Sequence, residues 1–509
     1  MNRKRITPRE RLVLCQLKQN SISTAVRILF LAALFSKYLL YGMAYFPILD
    51  DYIPYGTYPL FHDLDHVYFG IGILSTRPFA SLLDPILWGQ MWNHMSLALC
   101  LITLMHFFSA VLFEEVLKKS KLSVSPVFYL IFLLFPLGTE ATYWIGASTR
   151  IVVGMLFCAA ALYCLIGYIE KRRVYQFVLF FLFSFFSCGF YEDVLVFHVV
   201  SALLLIVFHW RRIRHKWVVC IVPALSAAFF CFYYKIASQI GAMGSRASSF
   251  SLSNMPERLG HFFSQLSEIM QAGSYQTTIK GFGEGLGILF QSGAMGILCL
   301  LCIAFTGMML GLLIFNHQAD RRGWKALLIG GIILFFLPLT PHILVPNVWL
   351  TYRVVFVSFV GLALVLEAVF ALIVRNRTAA AIQAVFLSVV MVLFGVANVN
   401  EYDTYRRVSQ DDQVKLDKVI EKLDDGVKSG EKEAVIVLSQ EPVLAQVSFY
   451  KDHVKSVFDS DWALTGAIRA QSKNVAIKKV TPVLSWEYYE TEDKQVLYLN
   501  NQGEVVYAQ

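Results

Sequence analysis

The chain has 509 residues, of which 57% are hydrophobic and only 16% charged, with a net charge of +8 and a mean hydropathy of +0.56. So little charge and such long apolar runs exclude a mainly soluble protein. The positive charge does not point to nucleic acid either, because the basic residues sit in short clusters between apolar runs, where membrane orientation requires them.

Runs of ~20 apolar residues match the hydrocarbon thickness as helices, and helices satisfy their own backbone in lipid. By that criterion the sequence predicts an all-α polytopic membrane protein of about eleven transmembrane helices. Residues 1–399 form the membrane domain and 400–509 a small α/β domain outside the membrane. The basic start, Met1-Asn-Arg-Lys-Arg5, precedes an apolar run that begins only near Ala25, so the first helix is expected to be retained rather than cleaved.

The first span runs from about Ala25 to Phe46, followed by a polar and aromatic loop to about Trp88. The second, from about His94 to Phe113, ends before Lys118, Lys119 and Lys121. The third and fourth flank a short link at Glu140, and the fourth ends at Glu170-Lys-Arg-Arg173. The fifth and sixth meet at Tyr191-Glu-Asp193 and precede Arg211–Lys216. The seventh ends near Lys235, before a long loop from about Ser238 to Gly285. The eighth stops before Asp320-Arg-Arg322, the ninth at Pro341-His342. The tenth extends from about Leu350 to Arg375-Asn-Arg377, and the eleventh from about Ala380 to Ala397. The basic clusters fall on alternate sides with one phase, which makes their face, including the N-terminus, cytoplasmic. The first loop, Glu140, Glu192-Asp193, the 238–285 loop and the C-terminal segment then lie outside.

Beyond Asn400 charge rises. Glu433–Ser439 and Val475–Val480 read as strands, Trp462–Ser472 as a helix, and Gln495–Leu499 with Glu504–Tyr507 as a hairpin. The nine cysteines lie mostly within apolar runs. Cys299-Leu-Leu-Cys302 has no second pair and no nearby histidine, so a redox or metal role is not expected. Gly281-Phe-Gly-Glu-Gly-Leu-Gly287 lacks the Gly-Lys-Ser/Thr ending of a phosphate loop and reads as a flexible lead into the eighth span.

Chemistry is expected at Asp50-Asp51, in Phe46-Pro-Ile-Leu-Asp-Asp-Tyr-Ile-Pro-Tyr-Gly56, where the chain leaves the bilayer. Carboxylates at an apolar boundary are candidates for functional titration. Adjacent side chains diverge in helix or strand, so the two cannot serve as an acid/base pair on one bond. That fits transfer from a phospho-sugar better than glycoside hydrolysis, which needs two opposed carboxylates. A lipid phosphate leaving group needs a cation, and the acceptor hydroxyl needs one base. Outer-face cations that topology does not demand are Arg77, Arg150, Arg353 and Lys235, among others, and arginine binds phosphate with two parallel bonds. Lys37, inside the first span, can reach the same outer region or snorkel to the headgroups. Tyr52, His62, Asp63, His66, Glu192 and Asp193 are candidate pocket residues. Asp63, Asp65 and His66 could bind a divalent metal ion, although their spacing is generic.

An Asp-Asp in the first external loop resembles the signature of GT-C fold glycosyltransferases. Leu49-Asp-Asp-Tyr-Ile-Pro-Tyr-Gly56 followed by Arg77-Pro78 is similar to the Gtr-type glucosyltransferases that modify bacterial surface polysaccharides. The resemblance covers mainly the first hundred residues and the membrane layout. It implies a polyprenyl-phosphate-linked sugar donor, inverting transfer to a surface glycan acceptor, and an extracytoplasmic site in a bacterial cell membrane. It implies as partners a cytoplasmic sugar-loading enzyme and a flippase. Asp50 or Asp51 would be the base, and Arg77 matches the Arg-Pro segment. The alternatives are a membrane transporter or flippase for lipid-linked sugar or polysaccharide, and a non-catalytic scaffold. Few charges lie deep in the spans apart from Lys37 and Glu367, and no internal repeat is visible, which counts against transport.

Overall fold

The computed structural model describes residues 23–56, 76–122, 124–239, 254–315, 323–345, 348–373, 377–440, 453–487, 493–500 and 503–507. The chain is a helical polytopic protein; its described residues include eight helices long and apolar enough to cross a membrane, or up to nine if a bent pair counts as one span. The expected number, about eleven, is corrected in kind rather than in place. Each expected segment is helical, but they are not all of spanning length.

The first helix, α1 (Ser23–Tyr41), leads to the Asp50 turn. After it come α2 (Met95–Lys119), α3 (Pro126–Leu134), α4 (Thr139–Tyr143) and α5 (Ile145–Lys171). The third expected span is α3 with the segment through α4, bent by 46°. The break falls at Pro136, which has no N–H to continue the ladder. The fifth and sixth are α6 (Val174–Cys188, 15 residues) and α7 (Glu192–Phe208, 17 residues), both below the ~20 that span hydrocarbon. Then come α8 (Lys216–Gln239), α9 (Met255–Glu268), α10 (Gly281–Gln291), α11 (Gly293–Phe315), α12 (Trp324–Phe336), α13 (Phe359–Ile373) and α14 (Arg377–Lys422).

Three sequence readings change here. The loop expected from about Ser238 to Gly285 is helical from Met255 onward, because the segment is amphipathic and packs on its neighbours. The glycine-rich stretch 281–287 is helical, not a flexible lead. A Cβ at Gly285 would lie 2.3 Å from the Val396 carbonyl oxygen, so glycine lets α10 approach α14. Glu367, one of the deep charges, caps a helix. Its Oε1 accepts hydrogen bonds from the Ser125 N, Ser125 Oγ and Phe128 N, each at 2.9 Å, at the start of α3. The first N–H groups of a helix have no internal partner, and a carboxylate there is favoured by the helix dipole.

The composition shift at residue 400 falls within one continuous helix. The apolar first part of α14 packs on α11, and its polar second part runs on to the small sheet domain. That sheet has the order β2-β1-β3-β4, with β1 (Glu433–Leu438) parallel to both β2 (Val480–Leu484) and β3 (Lys494–Leu499). β4 (Val505–Tyr507) is antiparallel to β3, as the hairpin reading expects. The strand expected at 475–480 is displaced to 480–484. Arg469 draws the preceding segment aside by donating to the Ile477 and Lys478 carbonyls. Pro482 is tolerated because β2 is an edge strand. One helix of this domain, α15 (Asp461–Ser472), packs on the Asp50–Gly56 segment.

Candidate functional site

The Asp50 turn is a tight 3-10 turn over Leu49–Asp51, and Leu49 takes the left-handed conformation, φ 41°. That turn sends the two carboxylates in opposite directions. Asp51 points inward and is fully buried. Its Oδ1 accepts from the Gly146 N at 3.0 Å, and its Oδ2 from the Tyr45 hydroxyl at 2.5 Å and the Ile48 N at 3.3 Å. Gly146 lies in the first turn of α5, so Asp51 ties the turn to an unsatisfied helix start. Burial pushes the Asp51 carboxyl up to about 7, against the lowering effect of these three hydrogen bonds.

Asp50 points outward and is half-buried. Its Oδ1 accepts from the Trp462 indole Nε1 at 2.9 Å. Trp462, Gly466 and Ala470 recur every four residues along one face of α15. They meet Asp50, Ile53 and Gly56 in that order: a Cβ at Gly466 would lie 3.1 Å from the Ile53 N, and one at Gly56 would lie 2.5 Å from the Ala470 Cβ. The small domain therefore grips the Asp50 turn through backbone-close contacts.

The expected phosphate-binding cations do not converge on this turn. Arg77 donates from Nε to Glu192 Oε2 at 3.2 Å, with its guanidinium 4.3 Å from the Tyr191 ring centroid. Arg150 donates to the Gly146 carbonyl and lies 4.0 Å from Asp84, which accepts from the Tyr55 hydroxyl at 3.1 Å. Arg353 lies 3.3 Å from Glu140 and 4.7 Å from the Trp144 ring centroid. Lys235 is on an exposed face of α8. Each arginine thus has its own carboxylate. Asp193 pairs with His342 at 3.1 Å, and Tyr52 is buried edge-on to Trp92. His62, Asp63, Asp65 and His66 lie outside the described residues. Among the described residues no group of three or more His, Cys, Asp or Glu could hold a metal ion.

Lys37 sits instead in an apolar cavity of about 430 Å³, formed by α1, α2, the α3–α4 bend, α11 and α14. Its Nζ donates to Thr103 Oγ1 at 2.7 Å and lies 5.7 Å from the Tyr402 ring centroid. Among the described residues it is the only lysine or arginine on the cavity wall, whose other polar groups include His106, Thr142 and Asn398. From Tyr402 a short aromatic series leads to the turn. Tyr402 and Tyr143 are 5.3 Å apart, Tyr143 and Tyr45 are 5.4 Å apart, and Tyr45 holds Asp51. Three tyrosines thus link the cavity to Asp51.

No protein-family model matches the chain, and no curated protein matches it either.

A second buried cluster escapes sequence reasoning. His453 lies between Glu401, 2.7 Å from Nε2, and Glu140, 3.4 Å from Nδ1, with the Tyr352 ring 4.6 Å away. Arg353 contacts the same Glu140, so two acids face two cations. Burial alone would lower the His453 pKa, but Glu401 and Glu140 outweigh it and push it up to about 10. Glu140 and Glu401 are 261 residues apart, and no spacing rule connects either with His453. Trp462 is likewise invisible as a partner of Asp50 until α15 docks.

Proposed function

We propose that this chain is a membrane glycosyltransferase that moves a sugar from a polyprenyl-phosphate donor to a cell-surface glycan on the outer face of a bacterial membrane. The observation that carries the reading is the cavity: apolar, about 430 Å³, holding one lysine and linked to the Asp50-Asp51 turn through Tyr402, Tyr143 and Tyr45. An apolar wall suits an isoprenoid chain, and an ammonium at its end suits a phosphate. Asp50 is the base and Asp51 the positioning residue, because only Asp50 is open to an incoming acceptor. In this reading Asp50 takes the proton of the acceptor hydroxyl while its oxygen bonds to the sugar anomeric carbon. The anomeric carbon–phosphate oxygen bond breaks on the opposite side, and its electron pair leaves with the lipid phosphate. The cations first expected in this role, Arg77, Arg150 and Arg353, are each paired with a carboxylate of another segment. The loading enzyme and flippase supply the donor at this face.

The test is Asp50→Asn in cells lacking the native copy, read as the sugar composition of the purified surface glycan. Loss of one sugar at unchanged protein level is expected. A wild-type composition would refute the reading, and continued movement of lipid-linked sugar across vesicles by the variant would favour the transporter alternative.

A further inference from the structure

Resting on that reading, we infer that Trp462 is the positioning residue of the acceptor half of the site: its N–H aims Asp50 and its ring receives an acceptor sugar. Three observations converge on it. The indole Nε1 donates to Asp50 Oδ1 at 2.9 Å, the one side-chain hydrogen bond the Asp50 carboxylate makes among the described residues. With its N–H directed at Asp50, Trp462 remains 53% exposed, so a large apolar ring stands uncovered beside a carboxylate. The helix that carries the ring is also closely set, because Gly466 and Ala470 on the same face of α15 close onto Ile53 and Gly56 with no room for a larger side chain between.

A tryptophan edge that holds a carboxylate leaves the ring face free. Indole joins an apolar body to one polar handle, which suits surfaces where one part is dry and another wet. The C–H face of a pyranose is apolar and its hydroxyls are not, so a sugar stacked on that face presents a hydroxyl at the ring edge, beside the Asp50 carboxylate that the indole N–H holds. Fixing one carboxylate oxygen by a hydrogen bond orients the other as acceptor for the hydroxyl proton. The C-terminal domain thus supplies half of the acceptor site to a turn that belongs to the membrane domain.

The experiment uses right-side-out membrane vesicles with their own lipid-linked sugar pool. The acceptor is the surface glycan purified from cells lacking the gene. Trp462→Phe keeps the ring and removes the N–H; kcat falls roughly tenfold, the scale of one lost hydrogen bond to a charged group, while KM for the glycan stays within about twofold. Trp462→Ala also removes the platform, and KM rises roughly tenfold as well. Trp462→His, which restores a ring N–H, recovers part of kcat. Wild-type kcat in Trp462→Phe, with Asp50→Asn inactive, overturns this inference and leaves the glycosyltransferase reading standing. Full transfer by Asp50→Asn overturns that reading itself. Equal losses of kcat in Phe, His and Ala variants with unchanged KM would mark a merely structural residue and also overturn the inference.

Discussion

Replacing His453 by glutamine tests how the small domain is held to the membrane part. In the native protein the His453 imidazolium joins Glu140 of α4 to Glu401 of α14, and Arg353 completes a neutral set of four charges. Glutamine keeps a donor but removes the positive charge, leaving two buried acids with one cation. Protonation that shifts from 6.5 to about 10 on folding corresponds to about 5 kcal/mol at one tenfold per 1.36 kcal/mol. Breaking a buried ion pair typically costs about 3–5 kcal/mol, which agrees. The sign follows from linkage: the folded state holds this proton more tightly than the unfolded chain. The stabilisation is therefore complete below pH 6.5 and disappears as pH rises through about 10. Thermal unfolding of the detergent-solubilised protein, followed with limited proteolysis of the C-terminal domain, gives the readout. At pH 6.5 His453→Gln melts several degrees lower and is cut sooner. By pH 10 the two proteins converge, because the wild type has lost its advantage. Equal melting at pH 6.5, or a gap that stays constant to pH 10, would refute the charge-balance argument.

The remaining predictions concern the turn and the cavity. Asp51→Asn removes a buried charge whose carboxyl sits at about 7 against 3.8 unfolded. The wild type bears the burial cost mainly above that range, so the stability difference moves in the variant's favour by about 2–3 kcal/mol from pH 5 to pH 8, checked by melting at both. Gly56→Ala places a Cβ 2.5 Å from that of Ala470. Such overpacking costs about 1–3 kcal/mol and lifts α15 from the turn, so glycan modification falls without any change to Asp50. Lys37→Met, in an apolar cavity, leaves the protein folded and weakens use of the lipid donor, seen as slower transfer that added donor lipid partly restores. An unchanged rate at low donor would remove Lys37 from the site.

The membrane character of the chain is local information. Apolar runs, the prolines that break them and the basic clusters between them act over one helix at a time, so segment positions can be read in advance. Even there, length decided more than pattern: α6 and α7 stop short because Gly189–Tyr191 turns the chain inside an otherwise continuous apolar stretch. Asp50 and Asp51 stood out in the sequence as a pair, and their divergence followed from adjacency. Which of them turns inward did not, because it depends on Tyr45 and on the start of α5 almost a hundred residues away. The arginines looked free because their partners, Glu192, Asp84 and Glu140, are distant in the chain or unremarkable beside them. Lys37 looked like a headgroup anchor until five segments closed around it. The contacts of Trp462 and His453 exist only because α15 and the segment before it return to the Asp50 turn and to α4. Hydrophobicity and turn chemistry are properties of neighbouring residues. Ion pairing and access belong to residues that tertiary packing alone brings together, and that is where the candidate site was decided.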